Sequence, residues 1–261
     1  MEDLLTQNTS ILLFMLVGFF AQTIDGCLGM AYGVSSNSVL LALGLPPKLA
    51  SASVHAAEVF TTAISGFSHF KVGNVDKELV LRLIVPGVLG GVTGAYLLTQ
   101  IDGDMIKPWI CVYLLIMGLI ILVRAFYKHI EADIKKALIP PLAIVGGFMD
   151  AIGGGGWGPV VTTTLVAAGK TPRFAIGSVN LSEFFVTFAE SVTFLFALGN
   201  LAEYWRIIVG LLLGGAIAAP LAAFVCKLIP RKVMMILVGL VIIFLQVRTL
   251  ASLWFGIKIF F

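Results

Sequence analysis

The sequence predicts an all-α polytopic membrane protein built from two inverted-topology repeats, each of about five helical elements, with broken short helices or hairpins meeting near the bilayer midplane. Three observations lead there. Apolar runs reach membrane-spanning length, the chain matches itself at an offset of 125 residues, and lysine and arginine are shared unevenly between alternating loops.

Only 12% of the residues are charged and 59% are hydrophobic, giving a mean hydropathy of +1.04. A soluble domain carries about a quarter of its residues as charges. The charges here fall between apolar runs such as Leu79–Thr99, Pro108–Arg124, Ile207–Cys226 and Val233–Trp254. Each run is close to the ~20 helical residues that one bilayer crossing requires. The acidic start Met1-Glu2-Asp3 does not resemble the basic head of a signal peptide. Cys27, Cys111 and Cys226 are scattered without ligand spacing and read as small buried hydrophobes. No metal or cofactor is expected. The net charge of +3 implies no nucleic-acid partner, because the basic residues sit in loops that orient the chain in lipid.

Sliding the chain by 125 residues aligns Asp25–Gly66 with Asp150–Ser191 without a gap. Identical pairs include Asp25/Asp150, Gly29/Gly154, Gly33/Gly158, Gly44/Gly169, Pro47/Pro172, Ala50/Ala175, Ser53/Ser178, Glu58/Glu183 and Thr62/Thr187. Shared apolar bias does not reproduce aspartate, glutamate and proline together, so residues 1–128 and 129–261 are read as two copies of one unit. Each copy begins with a short apolar piece (Ile11–Ile24; Ile139–Met149) that runs into a glycine-rich break. A second short piece follows (Val34–Leu43; Pro159–Ala168), then a turn carrying Pro47 or Pro172, a long helix (Lys48–Phe70; Arg173–Leu198) and two ordinary spans. The two short pieces are either a hairpin dipping into the bilayer or two short tilted helices.

Counting basic residues on alternating sides puts twelve on one side, among them Lys71, Lys77, Arg82, Arg124, Lys136, Lys170 and Arg173. Five lie on the other: Lys48, Lys107, Arg206, Arg248 and Lys258. The positive-inside rule then places Arg124–Lys136 in the cytoplasm and both termini outside it, in a cell inner membrane. Five elements per copy is an odd number, so the second copy enters from the opposite face. Inverted repeats with broken short helices point to a transport site at the bilayer midplane.

The run Gly153-Gly154-Gly155-Gly156-Trp157-Gly158-Pro159 interrupts an apolar stretch. Non-helical backbone at that depth survives only against protein or in a polar cavity. Pro159 suits the first position of a new helix, whose free amides and positive dipole end favour an anion. Glycines also permit close helix packing, but four in succession, matched by a break in the other copy, favour a site. Gly29, Gly33, Gly154, Gly155, Gly156 and Gly158 are therefore expected to bind solute, with Ser35, Ser36 and Asn37 as side-chain donors. On this reading, Gly155→Val blocks the amides and leaves the fold intact.

The long helix of the first copy carries Ser51, His55, Glu58, Thr62, Ser65 and His69 on one face; the second carries Ile176, Asn180, Glu183, Thr187, Glu190 and Phe194. Carboxylates within a span face a partner or an aqueous path. Glu58 and Glu183 are expected either to carry coupling protons or to tie the copies together, and His55, Asn180 and Thr187 to line the solute path. Asp25 and Asp150 precede the breaks and read two ways, as caps on exposed amides or as further carriers of the coupling proton.

The layout of glycine-rich break, short helix ending in Leu43-Gly44-Leu45-Pro46-Pro47 or Ala168-Gly169-Lys170-Thr171-Pro172, and then Ala-x-x-Ser-Val at Ala50–Val54 and Ala175–Val179, resembles the TauE/SafE sulfite exporter family. The resemblance spans nearly the whole chain. Gly153–Gly156 fits the family's glycine-rich signature, and Gly26-Cys27-Leu28-Gly29-Met30-Ala31 is a degenerate copy of it. The resemblance implies transport of small sulfur-containing or organic anions such as sulfite or sulfonates. No nucleotide-binding loop is present, so the energy would come from gradients, with proton coupling and alternating access as the expected mode. The expected partners are a small anionic solute and the lipid bilayer, and a homo-oligomer is compatible with the sequence. The competing classes are an anion channel of the same fold and a membrane-embedded enzyme using Glu58, Glu183 and His55. Symmetric pairing argues against the enzyme, because catalysis assigns unequal roles.

Overall fold

The computed structural model describes residues 10–126, 135–228 and 230–256 of the chain. Among the described residues ten α-helices follow one another: α1 (Ile11–Leu28), α2 (Tyr32–Ala42), α3 (Pro47–Lys71), α4 (Lys77–Gln100), α5 (Gly103–Arg124), α6 (Ile139–Gly153), α7 (Thr163–Ala167), α8 (Pro172–Leu198), α9 (Trp205–Leu228) and α10 (Arg231–Phe255). A wide π-helical turn, Trp157–Thr162, leads into α7. Among the described residues six segments are long and apolar enough to cross a membrane, and there is no strand. They are α4, α5, α6 with its preceding 3-10 turn, α8, α9 with its preceding 3-10 turn, and α10. The sequence reading made the start of the second copy too short to cross. The 3-10 turn and four further residues toward the break bring it to eighteen.

Local chemistry sets the boundaries. Asp76 and Asp102 cap the starts of α4 and α5 by accepting from Leu79 N and from Asp104 N and Met105 N. Pro47 and Pro172 open α3 and α8, where the missing N–H has no intrahelical partner to lose. α1 and α6 end at Gly29 and Gly154, with φ of +68° and +64°. That left-handed cap is accessible to glycine at little cost.

Packing is interleaved. α1 packs most extensively on α9 and α6 on α4, while α3 packs on α8 and α5 on α10. Each of these contacts joins the first half of the chain to the second. Small residues let the backbones approach, as membrane helices require in place of a hydrophobic drive. A Cβ on Gly94 would lie 2.7 Å from the Phe148 carbonyl oxygen, and one on Gly214 would collide with the carbonyl of Met15. Outward faces carry Phe20, Phe67, Leu81, Trp109 and Phe196, all exposed. In a soluble protein so much apolar surface would be a liability; here it faces acyl chains.

Basic residues that the charge count puts on one side meet at one end of the bundle. Lys136 Nζ lies 2.8 Å from Glu78, Lys170 Nζ lies 3.6 Å from Asp76, and Arg173 donates to the Gly73 carbonyl. Residues 127–134, the centre of the loop expected in the cytoplasm, lie outside the described residues. Cys111 is buried, as expected, whereas the side chains of Cys27 and Cys226 lie outside the description.

Candidate functional site

Each glycine-rich break is organised by its aspartate. The Gly29 amide donates to the Asp25 carbonyl (2.6 Å), and those of Gly154 and Gly155 donate to the Asp150 carbonyl. The side chains then turn into the breaks. Asp150 Oδ1 accepts from the amides of Gly156 (2.6 Å) and Trp157 (3.0 Å), and the Asp25 carboxylate accepts from the Tyr32 amide. Of the two sequence readings of these aspartates, amide capping is what the geometry displays. One consequence corrects the expected anion cradle: the amides of Gly154–Trp157 already have acceptors, and an oxyanion would have to displace Asp150 to use them.

The aromatic residue after each break anchors it to the opposite half. Trp157 is fully buried, and its Nε1 donates to the Val179 carbonyl (3.2 Å) while its ring lies against Gly87 of α4. Tyr32 donates its hydroxyl to the Leu211 carbonyl of α9 (3.3 Å).

The two breaks touch. A Cβ on Gly33 would sit 2.6 Å from the Gly154 carbonyl oxygen, and one on Gly158 would sit 2.8 Å from Met30 Cβ. A Cβ on Gly155, whose φ is +155°, would collide with the Val34 amide nitrogen. Gly155→Val is therefore expected to disrupt the packing of the breaks as well as their chemistry, contrary to the sequence expectation. In this conformation backbone fills the space between the tips.

Buried donors are nevertheless present on the segments that follow the two breaks. Ser36 and Ser38 of α2 and Thr162 of the π turn are buried, Ser35 is half-buried, and none of their hydroxyl oxygens has a hydrogen-bond partner. Asn37 donates through Nδ2 to the Gly153 carbonyl and leaves its Oδ1 unpartnered. An unsatisfied buried polar group costs about 1–3 kcal/mol. Many hydroxyls elsewhere avoid this by bonding back one turn, as Thr62 does to Glu58 O (2.7 Å) and Thr187 to Glu183 O (2.9 Å), although those of Ser53 and Ser191 also lack a partner. Thr187 has thus committed its donor, and Asn180 directs Nδ2 to the Ile176 carbonyl (3.0 Å).

On the other side of the Asp150 cap lies a buried ionisable cluster. His55 of α3 places Nε2 2.8 Å from Glu190 Oε2 of α8 and 3.6 Å from Asp150 Oδ2 of α6. It is aligned with neither for a full hydrogen bond. Glu58 is buried and lies within Coulombic range of His55, Asp150, Asp25 and Glu190; Glu183 is half-buried and faces the same carboxylates. Sequence reasoning reached His55, Asp150, Glu58 and Glu183 and passed over Glu190. Its place on the polar stripe was a signal, but the self-match pairs it with Ser65, and an argument from symmetric pairs skips it. Tyr113, which donates to the Gly155 carbonyl (3.3 Å), carried no sequence signal on an ordinary span. Beside the π turn, a groove of about 430 Å³ runs between Ile116, Ile120 and Arg124 of α5 and Pro159, Thr163 and Thr164.

Among the described residues, an all-helical bundle with six helices long and apolar enough to span a membrane, two helix breaks in contact and an ionisable cluster buried beside them defines a multi-pass membrane protein of the transporter class. The chain belongs to the sulfite exporter TauE/SafE family, which it matches over residues 14–249. It is also similar to a probable membrane transporter protein, YtnM, of Bacillus subtilis (strain 168). The two are 44% identical over 253 residues, covering 94% of this chain and 84% of the relative. No solved structure matches it. The family and this relative place the chain among membrane transporters of small solutes and not among enzymes, which removes the enzymatic reading of Glu58, Glu183 and His55.

Proposed function

We propose that this protein is a proton-coupled secondary transporter of small sulfur-containing or organic anions, such as sulfite or sulfonates, working by alternating access in a cell inner membrane. The observation that carries the anion assignment is the set of buried, unpartnered hydroxyls at Ser36, Ser38 and Thr162, with Ser35 beside them. A buried hydroxyl without a partner is a donor awaiting an acceptor, and an oxyanion supplies several. Donors of this kind bind without a buried lysine or arginine, whose own burial is costly in a bilayer.

Residues 1–128 and 129–261 act as inverted repeats in this reading. Its support is the pairing of α1 with α9 and of α6 with α4, and the matched Asp25–Tyr32 and Asp150–Trp157 caps. Parting of the breaks at Gly29–Gly33 and Gly154–Gly158 admits the anion to the hydroxyls of α2, with His55, Asn180 and Thr187 assigned to line its path. Glu58, Glu183, Asp25 and Asp150 are the carboxylates assigned to coupling. The Lys136, Lys170 and Arg173 end is cytoplasmic, which leaves both termini outside.

Purified protein in liposomes, assayed with labelled sulfite, thiosulfate and sulfonates, tests the assignment. The expected result is saturable uptake of one or more of these anions, accelerated when unlabelled anion is trapped inside. Uptake linear in concentration without trans-acceleration would indicate the channel instead, and preference for a cation would refute the anion reading.

A further inference from the structure

We propose that His55, Glu190 and Asp150 form the centre that holds the coupling proton, carried on His55 Nε2 or on Glu190 across their 2.8 Å contact. This rests on the proton-coupled reading above and adds His55 and Glu190 to the carboxylates assigned there, as the place where the proton is held.

Hydrogen-bond geometry fixes the histidine tautomer. His55 Nδ1 lies 2.7 Å from the Ser51 carbonyl oxygen, which can only accept. The Ser51 hydroxyl, 3.3 Å from the same nitrogen, gives its hydrogen to the Ala151 carbonyl (2.6 Å). Nδ1 therefore carries a hydrogen in every state, and Nε2 is the nitrogen that exchanges one. Nε2 stands 2.8 Å from Glu190 Oε2. Two bare lone pairs repel at that separation, so the contact contains a proton, placed on Nε2 or on the carboxyl oxygen. Glu190 meets no other donor among the described residues, because α4 opposes it with Gly91, where a Cβ would stand 2.9 Å from Glu190 Cγ.

Charge balance gives the centre its capacity. Among the described residues, His55 is the only buried side chain able to become positive, against buried Glu58, Asp150 and Glu190. One imidazolium leaves negative charge uncompensated where it is expensive, and an added proton on Glu190 reduces it. The other titratable groups facing the cluster are Glu58 on α3, Glu183 on α8, Asp25 on α1, Tyr32 on α2 and Tyr113 on α5. The three ligating atoms lie within 4.8 Å of one another, which invites comparison with a metal site. A tetrahedral ion with bonds of about 2.0–2.2 Å holds its ligand atoms about 3.3–3.6 Å apart, so a 2.8 Å nitrogen–oxygen contact fits a proton better.

The centre is also wired to the break. The second oxygen of Asp150 holds the amides of Gly156 and Trp157. A proton arriving on His55 draws Asp150 Oδ2, 3.6 Å away, toward the imidazolium and off the amides its carboxylate clamps, which links loading of the proton to parting of the breaks.

Wild type and Glu190→Gln are reconstituted, and labelled sulfite uptake is compared with and without an imposed proton gradient. The gradient should change wild-type uptake several-fold, and that ratio should fall to about one in Glu190→Gln. A wild-type ratio retained by the variant, or a wild type that transports with a ratio of one, overturns the proposal. No anion uptake by wild type in either arm refutes the transport reading instead, and the centre is then judged by the pH dependence of the melting temperature in detergent without solute. The wild-type dependence should shrink in both Glu190→Gln and His55→Gln; an identical pH course in all three overturns the proposal. If Glu190→Gln does not fold, His55→Gln takes its place in both assays. Stoichiometric metal that survives dialysis against a chelator in wild type but not in the variant also overturns it, in favour of a metal.

Discussion

Replacing Asp150 with alanine removes the acceptor for two buried amides, those of Gly156 at 2.6 Å and Trp157 at 3.0 Å. Each orphaned amide costs about 1–3 kcal/mol, or about 2–6 kcal/mol for the pair. Removing a buried carboxylate recovers part of that, since its own desolvation is lifted, and a net loss of about 2–4 kcal/mol remains. For a chain of this length, 1 kcal/mol moves the melting temperature by roughly 2–4 °C, so Asp150→Ala should melt roughly 5–15 °C below wild type. Asp150→Asn keeps an oxygen in place and should lose about half as much. Asp25→Ala should lose less than Asp150→Ala, because Asp25 is only half-buried. Thermal unfolding of purified protein in detergent, followed by tryptophan emission, measures all three. An Asp150→Ala protein melting within about 2 °C of wild type, or an asparagine variant as damaged as the alanine one, would refute the capping argument.

Trp157→Phe should cost about 1 kcal/mol through the lost bond to Val179 O, and Trp157→Ala about 3–5 kcal/mol through the cavity left in the core; melting curves separate the two. Gly214→Leu should abolish the α1–α9 contact and yield no monodisperse peak on size exclusion, because its Cβ collides with the Met15 carbonyl. Cysteines placed at Lys136 and Glu203, both exposed, should react with an impermeant maleimide from opposite sides, Glu203 in sealed cells and Lys136 only after permeabilisation. Labelling of both from one side would refute the proposed orientation.

The sequence revealed the elements whose ends are set by residue type. Pro47 and Pro172 mark the starts of α3 and α8 within one residue, and the polar stripe identifies their inward faces. It underestimated α1 and α6, expected to stop at Ile24 and Met149, because a left-handed glycine cap lets the helix run four residues further, to Leu28 and Gly153. The π turn at Trp157–Thr162 was not visible either; Pro159 brings no amide to the helical ladder there, and the regular pattern begins only at Thr163. At the site, residue types indicated which groups are polar and deep, but not which were already satisfied. The amides of Gly154–Trp157 looked free in sequence and are occupied because Asp150 folds back on them. Glu190 became visible only when packing set it against His55, a contact between helices more than a hundred residues apart in the chain.

The central claim is that the buried hydroxyls of α2 hold the anion, and the uptake KM of Ser36→Ala/Ser38→Ala in liposomes tests it most directly. A hydrogen bond to a charged group is worth about 1.5–3 kcal/mol, so the double variant should show a KM raised about tenfold or more. Its melting temperature should hold or rise, since neither hydroxyl has a partner in the protein to lose. A KM equal to that of wild type, with the protein folded and transporting, would contradict the claim.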